Sequence, residues 1–103
     1  MRLNVQERLS YAVAVVAVLR LLRETNETIR YHALGQAIGF IPESEPWHVR
    51  YRDPITEVLC LAAAAARQGG AAEVDALEWH RIVDQDGSHF QETLKKSRIV
   101  SLD

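Results

Sequence analysis

The stretch from Asn4 to Asn26 constrains this chain more than any other. Asn4 and Glu7, three residues apart, form a capping-box-like pair that opens a helix. Val5, Leu9, Ala12, Val13, Val16, Leu19 and Leu22 follow at helical spacing and predict its inner stripe. Ala14, Val15, Val18 and Leu21 are apolar as well. A helix apolar on several faces is either central to a core or in contact with a partner. The run Ala12–Leu22 is interrupted by Arg20 and falls short of the roughly 20 apolar residues that a membrane span requires. Arg23 and Glu24 stand where a signal peptide would carry a small-residue cleavage site. The expectation is a protein without a membrane or targeting segment.

The rest of the chain is laid out around that helix. Its 103 residues suit one domain, residues 1–103, with one hydrophobic core. Apolar residues make up 48% of the sequence, enough to fold rather than remain disordered. After the polar connection Glu24–Glu27, a short helix is expected over Tyr31–Ile38, with Leu34, Ala37 and Ile38 inward and Gly39 as its stop. Pro42 and Pro46 make Phe40–Arg52 a loop, anchored by Trp47. Asp53 and Pro54 restart a helix as N-cap and first helical residue. Ile55, Val58, Leu59, Ala62 and Ala66 form its inner stripe, and Gly69-Gly70 stops it. Leu77–Val83 reads as a strand, Asp86-Gly87 as a two-residue hairpin turn and Ser88–Phe90 as the return. A last helical turn is expected in Gln91–Lys96 and a short strand in Arg98–Ser101. The order is helix, short helix, loop, helix, hairpin. The fold class is therefore mainly α (α+β), a winged helix-turn-helix with a small C-terminal β-hairpin.

Charge bears on partners. The net charge is −2, with seven Arg against five Asp and Glu in residues 1–52, and five Lys and Arg against nine Asp and Glu in residues 53–103. A general nucleic-acid coat would be basic, so any DNA contact here is focused. His48, Arg50 and Arg52 form the most basic short stretch. The outer face of the 53–68 helix would present Thr56, Cys60, Ala63 and Arg67, which lacks base-reading Asn and Gln. Asp84 and Asp86 make the wing acidic, which disfavours contact with a phosphate backbone.

No constellation for chemistry is complete. Cys60 is the sole cysteine, flanked by Leu59 and Leu61, so it reads as a core thiol in a chain suited to the reducing cytoplasm. His32, His48, His80 and His89 lack metal-ligand spacing. Neither a cofactor nor a metal is expected.

The string Trp79-His80-Arg81-Ile82-Val83 with Asp86-Gly87 resembles a segment of the alkyltransferase-like proteins. These are non-enzymatic relatives of the O6-alkylguanine-DNA alkyltransferases, with Trp where the enzymes hold the acceptor Cys. Thr28–Gly39 and Gln91–Val100 are similar to two further segments of that family, in the same order. The resemblance implies a winged-helix DNA-binding domain. It implies Tyr31 on the phosphate side and Trp79, with His80 and Arg81, at a base pocket. The chain departs from the family at Glu78, where a Pro is usual, at His32, where a Gly is usual, and in Ile55–Leu61, which holds no intercalating Arg.

Two functions remain open. One is non-enzymatic binding of double-stranded DNA, regulatory or lesion-sensing, through Tyr31, Arg50, Arg52, Thr56 and Arg67, with Lys95, Lys96 and Arg98 also on phosphates. The other is a winged-helix scaffold for protein interaction, acting as a small regulator or inhibitor or as a homodimer through helix 1.

Overall fold

A computed structural model describes residues 3–68 and 77–90, with the side chains of 67 and 68 left aside. Helix α1 runs Val5–Thr25. The Asn4 side chain accepts from the Glu7 amide at 2.8 Å, and the Glu7 carboxylate accepts from the Asn4 amide at 3.1 Å. Two of the helix's orphan N–H groups are thereby satisfied. At the other end Asn26 takes the left-handed conformation (φ 57°), which Asn tolerates better than other non-glycine residues, and its amide returns to the Leu22 carbonyl.

Strand β1 (Ile29–Arg30) leads directly into helix α2 (Tyr31–Ala37). Gly39, at φ 86°, ends it as expected. The amides of Phe40 and Ile41 both donate to the Gly35 carbonyl at 2.9 Å. Gly35 is required there, because a Cβ would run into the Ile41 side chain. A 3-10 turn, Val49–Tyr51, is continuous with helix α3 (Arg52–Gln68). Asp53 is consequently not the N-cap: it and Pro54 lie inside the first turn, where a missing N–H costs nothing.

The predicted strand Leu77–Val83 is mostly not a strand. Trp79–Arg81 form a 3-10 turn, and only Ile82–Val83 are extended, as strand β2. β2 pairs with β1 in parallel, Ile29 opposite Ile82 and Arg30 opposite Val83. The hairpin is reduced to one antiparallel bridge, Val83 to His89. Its loop has three residues, not two. The Gly87 amide donates to Asp84 O at 2.9 Å and the Asp84 amide to Ser88 O at 2.8 Å, with Gly87 left-handed at φ 94°. The expected elements in Gln91–Lys96 and Arg98–Ser101 lie outside the described residues.

The described architecture is mainly helical: three α-helices and a two-stranded sheet. One core runs from Val15 and Leu19 through Leu34, Ile41, Ile55 and Leu59 to Ile82 and Phe90. The α3 stripe is buried as expected, but Cys60, Ala63 and Ala64 are buried too. On α2 the inward residues are Tyr31, Leu34, Gly35 and Ile38, while Ala37 is exposed. On α1 the buried line is Ala12, Val15, Leu19 and Leu22. Val5, Leu9 and Val13 of the expected stripe face solvent instead. Ala12, Leu19 and Leu22 of the expected stripe are buried, with Val15 in the place of Val13; the N-terminal part of the stripe turns outward, because apolar residues occur on both sides of this helix.

Candidate functional site

Two surfaces qualify, one rich in arginine and one apolar. The arginine surface forms where the start of α2, the start of α3 and the 84–88 turn meet. Gln85 ties them together. Its side-chain oxygen accepts from the His32 amide at 3.0 Å, capping α2 from 53 residues away, and its carbonyl accepts from the Arg30 guanidinium at 3.1 Å. The Arg52 Nε lies 3.2 Å from the Asp84 carboxylate. Half-buried Asp84 thus neutralises the arginine nearest the turn. Asp84 at the start of the acidic turn serves as an internal clamp on α3. Asp86 is exposed, and hydrogen bonds from the Ser88 hydroxyl and amide hold its pKa below the usual carboxylate value.

The 40–51 loop completes this surface. His32 and Gln36, one turn apart on α2, bond backbone carbonyls of the loop: His32 Nε2 to Glu45 O at 2.9 Å and Gln36 Nε2 to Glu43 O at 2.9 Å. The Tyr51 hydroxyl donates to the Glu45 carboxylate. Trp47 sits between the rings of His32 and Tyr51, with centroids 6.3 and 6.2 Å away. It is the anchor the sequence suggested. Exposed Arg50 lies over the Tyr51 ring at 5.2 Å, a cation–π arrangement.

The residues expected at a DNA interface are only partly brought together. Arg50 is exposed and Arg52 is half-exposed but paired. Tyr31 is in the core. Burial, offset in part by the Thr56 hydroxyl beside it, pushes its pKa up to about 12. A phenol so enclosed cannot reach a phosphate without rearrangement. The Thr56 hydroxyl donates to the Arg52 carbonyl at 2.9 Å and is satisfied inside the helix. Of the outer α3 face read from sequence, Cys60 and Ala63 are buried. The row that faces solvent is Asp53, Glu57 and Ala65, with Leu61 half-exposed. That row begins with two carboxylates, poor groups for a phosphate-lined groove. The Arg67 side chain and Lys95, Lys96 and Arg98 lie outside what the structure describes. Arg30 was missed by sequence reasoning because only the parallel pairing with β2 brings it to the turn.

Trp79, His80 and Arg81 do not share one face. Successive residues of a 3-10 turn point about 120° apart. The Trp79 ring is packed on Phe90 with centroids 5.7 Å apart, and the His80 side chain is exposed. Arg81 is buried and fixes the end of α1: its guanidinium donates to Glu27 O and Asn26 Oδ1 at 3.0 Å and to Glu78 Oε1 at 3.2 Å. Glu78 also pairs with Arg23 at 3.4 Å, from a left-handed backbone at φ 55°. The arginine of this string is a bolt between α1 and β2. Its Nε and the Trp79 indole N–H are buried with no protein partner.

The apolar surface is the outer side of α1. Val5, Leu9, Val13 and Leu21 are 63%, 50%, 72% and 59% exposed. They fall four residues apart, with exposed Ala17 completing the row. Four of the five large exposed apolar side chains among the described residues lie here. Such clustering on one helix makes the row a candidate contact surface, whereas scattered exposed apolar residues need no explanation.

The one cysteine lies on neither surface. Cys60 is buried, and desolvation, helped by the charge of Glu57, raises its thiol pKa. Among the described residues no group of three or more His, Cys, Asp or Glu could hold a metal ion. No helix among them is long and apolar enough to cross a membrane. Comparison with family models, with curated proteins and with solved structures finds no match for this chain.

Proposed function

We infer that this chain is a non-catalytic binding module that docks on protein through the outer face of α1. The observation that carries the reading is the exposed row Val5–Leu9–Val13–Ala17–Leu21 on a helix whose opposite face is fully packed. An amphipathic helix in a monomer keeps its apolar residues on one side. Here the second apolar side is left exposed by the described residues. The buried, protonated Cys60 favours binding over chemistry and fits a reducing compartment such as the cytoplasm. The test is a photoreactive benzophenone side chain placed at position 13, with position 65 on α3 as the control. A protein adduct at 13 and none at 65 is expected on irradiation in the native cell. Absence of an adduct at 13 would sink the reading.

Arg30, Arg50 and Arg52 around the 84–88 turn favour a second reading, DNA binding by a winged helix akin to the alkyltransferase-like proteins. The order helix, strand, helix, helix, strand, turn supports it. The exposed carboxylates of α3 and the Arg52–Asp84 pair weigh against it. Fluorescence polarisation with a short duplex at two salt concentrations, with and without one O6-methylguanine, discriminates. Salt-sensitive binding weakened by Arg30→Ala and Arg50→Ala supports DNA. No binding at low salt removes it.

A further inference from the structure

The geometry points to a second copy of this chain as the occupant of the α1 outer face, with the two helices crossing antiparallel about a two-fold axis near Val13 and Ala17. The inference rests on the docking reading above and names its partner. The exposed row repeats every four residues over nearly the whole of α1. Rows of that spacing are the ridges that interdigitate when two helices pack at about −50°. The row is also complementary to itself. Val13 and Ala17 lie at its middle, and the small Ala17 allows the axes to approach. Leu9 and Leu21 lie equally far on either side, so each Leu9 meets the partner's Leu21 when the second helix is reversed.

Charge selects that direction. The polar residues on the same outer side are Gln6 and Ser10 toward the N-terminus and Arg20 and Glu24 toward the C-terminus, all exposed. A parallel pair would align the two helix dipoles side by side. The antiparallel pair sets the charged ends against neutral Gln6 and Ser10, which can bond either charge, and opposes the dipoles. A two-fold contact is isologous and closes at the dimer, so the exposed row does not propagate into a fibre. One helix face makes an interface at the small end of the range for specific complexes, so the dimer should dissociate on the order of micromolar or weaker.

Sedimentation equilibrium of the full chain tests this. A concentration-dependent monomer–dimer equilibrium is expected. Leu9→Asp and Val13→Asp, both on the outside of the helix, should each weaken it at least tenfold with unchanged circular dichroism. An equimolar mixture of Val13→Cys and Ala17→Cys chains should form the mixed intermolecular disulfide rapidly on mild oxidation, since this register sets position 13 of one helix opposite position 17 of the other. Ala33→Cys, exposed on α2, should not. A single monomeric mass at all concentrations, or a dimer indifferent to both aspartates, overturns the proposal. A position-13 adduct whose mass is not that of two chains, from a chain that sediments as a monomer, overturns self-association alone. No adduct at all removes the docking reading with it.

Discussion

Helices α1 and α3 are both largely apolar and end in opposite states. α1 draws on Val and Leu and α3 on Ala, and both carry apolar residues on more than one side. α3 is enclosed on three sides, so that Cys60, Ala63 and Ala64 are buried along with its main stripe. α1 is packed along Ala12, Val15, Leu19 and Leu22 and leaves a second apolar row outside. The difference lies in how the neighbours are placed: α3 meets α1, the 49–51 turn and α2, and α1 meets α3, α2 and the 79–81 turn, yet among the described residues the α1 neighbours leave its outer row exposed. An apolar side chain in α3 therefore stabilises the fold, and one in the outer row of α1 is available to something else.

Thiol chemistry would separate the two helices most sharply. Cys60 should react with iodoacetamide only as the fold opens, and Val13→Cys at the rate of a free thiol. The expected rate ratio is on the order of a thousandfold or more, read by mass spectrometry; equal rates would erase the distinction. Truncation comes next. Leu59→Ala should cost about 2–5 kcal/mol in urea denaturation, while Val13→Ala should stay within about 0.5 kcal/mol. If the two costs are similar, α1 is not a free face.

The attachment of α1 to the sheet can be broken at Arg81. Arg81→Ala removes the hydrogen bonds to Asn26, Glu27 and Glu78 and the packing of a buried side chain, and should lower stability by about 1–3 kcal/mol in urea denaturation. Arg81→Lys should recover only part of this, because an ammonium cannot span three acceptors in the plane of a guanidinium.

On the α3 side, Tyr31 offers a pH test. Its folded pKa is about 12 against an unfolded value of 10.0. Below pH 10 both states keep the proton and its contribution is complete. Above pH 10 the unfolded chain ionises first, so stability falls by roughly 2–3 kcal/mol as pH approaches 12. Tyr31→Phe should lack that part of the alkaline loss, and identical slopes in the two proteins would show that Tyr31 is not enclosed against α3.

Much of the local structure was legible. The Asn4–Glu7 box, Gly39 as a stop and the α3 inner stripe all follow from short-range rules, in which a residue's role is set by neighbours three or four positions away. The α1 stripe was legible at Ala12, Leu19 and Leu22 but not at Val5, Leu9 and Val13. Two apolar rows compete on one helix, and only the position of α3 decides which is buried. Trp79–Arg81 misled for a related reason. A tryptophan followed by branched residues suits a strand, but the pull of Arg81 toward the end of α1 closes the segment into a 3-10 turn.

The sequence by itself determined the three helices, the Asn4–Glu7 cap of α1, the Gly39 stop of α2 and a buried thiol. Those properties arise from backbone propensity and residue type. The tertiary structure alone decided that Tyr31 and Arg81 serve the interior, that Asp84 clamps Arg52, and that the unspent apolar surface lies on α1. Each of these depends on contacts between residues more than 20 positions apart, which no local pattern encodes.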